Sequence, residues 1–241
     1  MCIRDSVETA ELIKYASNGF LAVKISFINE MATLCEAIGA DVEVVARGMG
    51  LDTRIGPKFL HPGPGFGGSC FPKDTLSAAH FARELGESLE IVEAVVRVNQ
   101  RQRLYAMDKI VAACEGEVDG QTIAVLGLSF KPETDDIRDA PALEIIRGLL
   151  DRGAAVRAYD PQAMPEVGRL MPEVTLCKDA YEACDGADLL AIVTEWNQFR
   201  MLDLARVHRL LKQPRLVDMR NIYDPAAMRR QGFEYWSMGR A

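Results

Sequence analysis

Thr122-Ile123-Ala124-Val125-Leu126-Gly127-Leu128 is a short apolar run that reaches a glycine, and it opens a regular alternation. Pro141-Ala142-Leu143-Glu144-Ile145-Ile146 starts a helix that stops near Gly153. Further apolar runs follow at Ala155-Val156-Arg157-Ala158-Tyr159-Asp160, Val174-Thr175-Leu176, Asp188-Leu189-Leu190-Ala191-Ile192-Val193 and Arg215-Leu216-Val217-Asp218. Short strands separated by helical stretches predict a parallel, doubly wound sheet. Ligands of such sheets bind beyond the carboxyl ends of the strands. The first such end here is Gly127-Leu128-Ser129-Phe130-Lys131. It is not a G-x-G-x-x-G fingerprint, and no strand–G-x-G-x-x-G–helix unit occurs elsewhere in the chain.

Upstream of this alternation the pattern is helical. Residues 8–38 form one long apolar stretch with almost no polar face, which predicts a helix buried in a core or at a subunit interface. Gly39 ends it. Asp41 is the N-cap of a second helix closed by Gly48 and Gly50. Leu51 to Gly68 is a long loop rich in Gly and Pro, a length that compact domains usually keep for function. A third helix begins at Pro72, and a fourth runs from about Leu89 to Ala113 with apolar residues at helical period. Gly116 to Gly120 is acidic and glycine-containing and marks the boundary with the sheet.

Within the helical half, Gly65-Phe66-Gly67-Gly68-Ser69-Cys70-Phe71-Pro72-Lys73-Asp74 carries chemistry. Gly63, Gly65, Gly67 and Gly68 allow positive φ and close approach to a ligand. Pro72 suits the first helical position, which puts Cys70 near a helix N-terminus. The helix dipole and Lys73 favour a thiolate there; Asp74 opposes it or accepts a proton. The plain alternative is a structural turn with an inert cysteine. Lys14 and Asn18 stand four apart on one helix face. Their plain alternative is a lysine snorkelling to solvent and a satisfied core amide. Arg54 by itself reads as a solvated charge.

Composition narrows the function classes. The chain has 241 residues, 49% hydrophobic and 26% charged, with a net charge of −7 and no long basic run, which argues against nucleic-acid binding. No apolar run reaches a membrane span, and no signal peptide follows the start. Cysteines at 2, 35, 70, 114, 177 and 184 and histidines at 61, 80 and 208 are scattered without metal-ligand spacing, so a reduced, cytoplasmic chain with no metal is expected.

The cysteine stretch resembles the active-site segment of the UDP-glucose 6-dehydrogenases, in the UDP-glucose/GDP-mannose dehydrogenase family. Glu11-Leu12-Ile13-Lys14-Tyr15-Ala16-Ser17-Asn18 resembles that family's helix whose lysine and asparagine face the reacting carbon. Lys131-Pro132-Glu133-Thr134-Asp135-Asp136-Ile137-Arg138-Asp139-Ala140-Pro141 resembles the entry to its UDP-binding domain. Thr194-Glu195-Trp196-Asn197-Gln198-Phe199 and Asp218-Met219-Arg220-Asn221 also match family segments, the first of them a structural segment or a contact. The implied fold class is α/β, with an all-helical central dimerisation domain over 7–117 and a doubly wound, Rossmann-like UDP-binding domain over 118–241. The implied reaction is the NAD-dependent, four-electron oxidation of UDP-glucose to UDP-glucuronate in a cytoplasmic homodimer. Cys70 would be the nucleophile that forms a thiohemiacetal and then a thioester. Lys14 and Asn18 would hold oxyanions and a water, and Asp74 would orient or deprotonate the water. The resemblance places Phe59, Leu60, His61, Pro62, Gly63, Gly67, Phe130, Lys131 and Arg220 at the nucleotide sugar. Arg54 reaches the partner's substrate, and Lys73 and Arg138 approach NAD.

Met1–Ser6 has no counterpart in the family pattern and reads as a non-native scar, excluded from fold reasoning. The family's NAD domain has no match here, so a truncated and inactive piece is expected, with the family's usual ending near Gly239. Two further readings differ in class. One is a non-enzymatic, dimerising nucleotide-sugar-binding module, and the other is a hydrolase with Cys70 served by His61, His80 or His208. GDP-mannose and UDP-N-acetyl-hexosamine are the alternative substrates within the family.

Overall fold

The computed structural model describes residues 6–240. Four helices come first: α1 (Val7–Ile38), α2 (Val42–Gly50), α3 (Phe71–Glu84) and α4 (Glu90–Ala113). The side chain of Ser6 accepts a hydrogen bond from the Thr9 amide at 3.2 Å and caps α1, so this residue, set aside on sequence, takes part in the fold. The other residues of the expected scar lie outside the described residues. Gly39 closes α1 in the left-handed region at φ 74°, and the Asp41 carboxylate caps α2 through the Glu43 amide. At α3 the cap position belongs to Cys70, and Pro72 sits second rather than first. The proline has no amide hydrogen to lose, and neither of the first two helical positions needs one.

The sheet half contains β1 (Thr122–Leu126), α5 (Pro141–Leu150), β2 (Ala155–Tyr159), α6 (Met164–Leu170), β3 (Thr175–Leu176), α7 (Ala180–Cys184) and β4 (Leu189–Ile192). It continues through α8 (Asn197–Arg200), α9 (Leu204–Leu210), β5 (Arg215–Asp218), α10 (Pro225–Arg230) and β6 (Glu234–Ser237). All strand pairs are parallel, in the order β3-β2-β1-β4-β5-β6, which is the Rossmann order. Each strand residue alternates faces. Ile123 and Val125 enter one core with α4, α5 and α6, while Ala124 and Leu126 enter a second core with α7, α9 and α10. Ala106, Met107 and Ile110 of α4 sit in the first core, so this helix belongs to both halves and carries the sheet against the helical layer.

Glu36 of α1 closes the junction. Its carboxylate accepts from Lys109 Nζ at 2.9 Å, from the Gly239 amide at 2.6 Å and from the Tyr105 hydroxyl. A β-carbon on Gly239, whose φ is +70°, would lie 2.7 Å from the Ala32 backbone, so only glycine lets the last segment approach α1.

The sequence reading placed α1 in a core or at a subunit interface, and within this chain one face of it is left uncovered. Leu12, Phe20 and Leu34 are at least half exposed, and Ile13 and Phe27 are also exposed. Ile13, Phe20, Phe27 and Leu34 recur at heptad spacing and form one stripe along the helix.

Candidate active site

The loop between α2 and α3 lies over the seam of α1 and α4. Gly65 and Gly68 hold positive φ (105° and 85°), as their sequence position requires, whereas Gly63 and Gly67 do not. These two are glycine for proximity instead. A β-carbon on Gly67 would sit 2.2 Å from the Asp139 carbonyl oxygen, and one on Gly63 would sit 2.9 Å from Arg220 Nη1. The helical and sheet halves thus meet backbone to backbone at the cysteine loop.

Cys70 ends this loop at the N-terminus of α3 and is exposed. The other described cysteines, Cys35, Cys114, Cys177 and Cys184, are buried. Burial pushes their thiols up, to about 11 for Cys114 and about 12 for Cys184. Among the described cysteines, Cys70 is the one whose thiol is open to a ligand.

One turn into α3, the Asp74 side chain is fully buried and faces α1. Asn18 Nδ2 donates to Asp74 Oδ2 at 2.6 Å, and Lys14 Nζ lies 3.1 Å from Oδ2 and 3.3 Å from Oδ1. The spacing of four on α1 brings both donors to one carboxylate. Burial acts to raise the Asp74 carboxyl, but the bonds from Asn18 and Lys14 outweigh it and hold the group below its usual range. The hydrogen bond to Asp74 raises Lys14 in turn, and the nearby Cys70 adds a smaller upward push. Asp74 is thus a buried carboxylate held in its charged form by α1. Its charge keeps Lys14 an ammonium and aims Asn18. Lys73, expected beside the thiolate, reaches 3.7 Å from Asp74 Oδ1 and is mostly exposed.

A cleft of about 400 Å³ opens beside Phe71, the residue after Cys70. Four rings line it: Phe59, Phe66, Phe71 and Phe130. Phe71 meets Phe59 and Phe66 edge to face, with centroids 6.1 and 5.9 Å apart. Phe59 holds φ 64°, strained for a side chain of its size. Lys58, Lys131 and Arg220 supply positive charge to the same cleft, against one carboxylate, Glu195. Arg220 Nε donates to the Val193 carbonyl at 2.8 Å and lies 3.0 Å from Glu195 Oε2, which fixes the guanidinium over Gly63. Phe130 and Lys131 follow β1, Glu195 follows β4 and Arg220 follows β5, so the sheet's contribution comes from its carboxyl ends at the switch point. Stacking rings with surplus cations suit a base joined to a diphosphate.

The structure redistributes other expected residues. His61 and Gly67 line the cleft. The Leu60 side chain is buried in a small core with Ile28, Ala32 and Val42, and Pro62 is also buried, so neither side chain reaches the cleft as expected. Gly63 lies beneath Arg220. Arg54 points to solvent and pairs with Asp52 at 2.6 Å. Arg138 pairs with Asp136 at 2.7 Å, while its carbonyl accepts from the Gly68 amide at 2.8 Å. Sequence reasoning missed Lys58 and left Glu195 unassigned. Trp196 next to it is structural: it is buried, and its indole donates to Asp160 Oδ2 at 3.1 Å.

Among the described residues, the ends of β1 and β2 are closed by contacts of their own. Asp160 follows β2, where an acidic residue would meet a ribose, but its carboxylate is buried and accepts from the Leu128, Ser129, Gln162 and Ala163 amides. A β-carbon on Gly127 would collide with Thr194 at 2.4 Å, so the loop after β1 is closed against its neighbour. Lys73 and Arg138, the residues expected near NAD, are both mostly exposed.

Fold and site together define a class: a helical domain presenting a cysteine, joined through one long helix to a Rossmann-ordered sheet whose carboxyl edge faces that cysteine. Residues 8–101 match the model of the UDP-glucose/GDP-mannose dehydrogenase family, central domain, and residues 124–225 match that of the same family's UDP binding domain. The chain belongs to the UDP-glucose/GDP-mannose dehydrogenase family. It is 52% identical to a UDP-glucose 6-dehydrogenase of Rhizobium meliloti over 232 residues, covering 96% of this chain and 53% of the relative. The UDP-glucose 6-dehydrogenase TuaD of Bacillus subtilis is 48% identical, with 99% and 52% covered. Among solved structures, a UDP-glucose dehydrogenase from Pyrobaculum islandicum superposes with a TM-score of 0.86 at 40% identity, covering 97% of this chain and 51% of that one. The chain spans about half the length of the curated relatives it matches. No helix among the described residues is long and apolar enough to cross a membrane.

Proposed function

We propose that this chain supplies the nucleophile and the nucleotide-sugar cleft for the four-electron oxidation of UDP-glucose to UDP-glucuronate. The observation that carries the reading is the convergence of Lys14, Asn18 and Asp74 one turn beyond the exposed Cys70, beside an aromatic and cationic cleft. NAD is the hydride acceptor of that reaction, and the steps below concern the chain's own residues. Cys70 Sγ adds to a C6 aldehyde to give a thiohemiacetal, which keeps the reactive intermediate covalently bound. At the thioester level, water attacks and the thiolate leaves. Each tetrahedral oxygen gains charge beside Lys14 and Asn18. The Asn18 amide keeps a second N–H beyond its bond to Asp74, and the three-donor ammonium keeps at least one. An oxyanion donor of this kind is worth about 3 kcal/mol of barrier.

UDP-glucose is favoured over GDP-mannose and UDP-N-acetyl-hexosamine because the relatives named for UDP-glucose share the higher identities. A dehydrogenase for NDP-N-acetyl-D-galactosaminuronic acid from Methanosarcina mazei has the same fold at 28% identity. The experiment titrates the chain with the three nucleotide sugars and follows iodoacetamide labelling of Cys70 by peptide mass spectrometry. Protection at the lowest concentration by UDP-glucose supports the reading. Equal labelling with and without every sugar sinks it.

The second reading is a binding module without oxidation, and the closed Asp160 loop favours it. A C6-aldehyde form of UDP-glucose that blocks Cys70 labelling more strongly than UDP-glucose itself supports the nucleophile, and equal protection by the two supports the binding module. The heptad stripe on α1 supports a homodimer through the helical half.

A further inference from the structure

The cysteine loop has no regular secondary structure, yet its backbone is buried from Pro62 to Gly68. Buried amides and carbonyls need partners. Here those partners are side chains. The Gly63 amide donates to Asn29 Oδ1 at 2.9 Å, and its carbonyl accepts from Gln102 Nε2 at 2.8 Å. The Phe66 amide donates to Asn99 Oδ1 at 2.8 Å, and its carbonyl accepts from Asn99 Nδ2 at 3.1 Å and Arg103 Nη2 at 2.9 Å. Asn99, Gln102 and Arg103 stand at i, i+3 and i+4, one face of α4. Asn99 and Gln102 are buried, and the Arg103 side chain is only 12% exposed.

Arg103 does more than hold the loop. Its Nη2 also donates to the Asp139 carbonyl at 3.0 Å, and Nη1 donates to Glu144 at 2.9 Å. Asp139 has φ 48°, a strained conformation outside glycine, and its carbonyl is the atom that Gly67 must clear. One guanidinium therefore joins the cysteine loop to the segment that leads from Lys131 into α5. Apolar packing would hold such a loop in place only loosely along its own direction. Directed bonds to both faces of Phe66 fix its register, and Cys70 follows four residues later.

We propose that Asn99 and Arg103 are positioning residues that set Cys70 against a ligand held by the sheet. Neither residue lines the cleft. The ligand is the nucleotide sugar of the function proposed above, and the inference rests on that reading. Nucleophilic attack is sensitive to displacements of about 1 Å, so a loosened loop should lose alignment before it loses binding.

The test compares Arg103→Lys and Asn99→Ala with the unmodified chain. Lysine keeps the charge but reaches at most one of the two carbonyls. Three quantities are read: the iodoacetamide rate at Cys70, its protection by UDP-glucose, and the urea midpoint. We expect the limiting protection to fall roughly fivefold or more in both variants, with the half-protecting concentration within about twofold. The urea midpoint of Arg103→Lys stays near that of the unmodified chain. Unchanged limiting protection, or a loss that only tracks unfolding, overturns the proposal. If UDP-glucose protects Cys70 in no chain, the substrate reading fails by itself. Positioning is then read from the ligand-free labelling rate, which must still change roughly threefold in Arg103→Lys, and an unchanged rate overturns it.

Discussion

Asn18→Ala isolates the electrostatics of the site. Asp74 is fully buried, and its shortest contact is the 2.6 Å bond from Asn18. Lys14 remains, but its side chain is 54% exposed and its attraction is screened by water. A hydrogen bond to a charged group contributes about 1.5–3 kcal/mol. Alanine returns roughly 0.5 kcal/mol of helix propensity at an α1 position. The expected loss at neutral pH is therefore about 1–2.5 kcal/mol. Its pH dependence carries the diagnosis. In the native chain the Asp74 carboxyl is lowered, so its contribution is fully present above its unfolded value and is lost as pH falls through the folded one. Removing Asn18 leaves burial less opposed and raises the carboxyl. The two chains should differ most at neutral pH, converge as pH falls through the variant's Asp74 titration, and differ least below the native one. Urea unfolding followed by circular dichroism at several pH values measures this. A difference that stays constant from neutral to acid pH would refute the account, because it would mean that Asn18 acts through packing and not through the Asp74 charge.

Other consequences are separable. Phe20→Glu or Phe27→Glu on the α1 stripe should convert a dimer to a monomer without altering helix content, which sedimentation and circular dichroism would show; an unchanged sedimentation coefficient rejects that interface. Asp160→Ala strands the buried amides of Leu128 and Ser129 and the Trp196 indole, and should destabilise the sheet half by about 1–3 kcal/mol for each donor left unpaired, read from tryptophan fluorescence in urea. A cost below about 1 kcal/mol would show that water replaces the carboxylate there. Gly67→Ala puts a methyl 2.2 Å from the Asp139 oxygen, so the loop must move; UDP-glucose protection of Cys70 should fall while the sheet half keeps its stability.

Much was legible in the sequence because it is written in local periodicity. Strand runs, helix runs, the Gly39 stop and the Asp41 cap follow from backbone chemistry within a few residues. β6 escaped because Glu234-Tyr235-Trp236-Ser237 is an edge strand with one buried face and too short to show a period. The α1 face stayed open between two readings for a different reason: a sequence shows that a helix is apolar all round but not which neighbour covers it. The site residues Cys70, Lys14 and Asn18 came from motif resemblance, and nothing in their composition ranked them above a snorkelling lysine and a core amide.

The sequence by itself determined the elements, the parallel α/β class and the short list of chemical groups, since these depend on residue type and spacing. Tertiary structure alone decided which groups meet. Lys14 and Asp74 are 60 residues apart and share a salt bridge; Arg103 and Asp139 are 36 apart and share a hydrogen bond. Glu195 and Arg220 enter one cleft because β4 and β5 end side by side. Lys73 came within reach of Asp74, and Asp160 was closed into its own loop. Each of these outcomes rests on burial, which makes a charge or an amide take whatever partner the packed chain brings within reach.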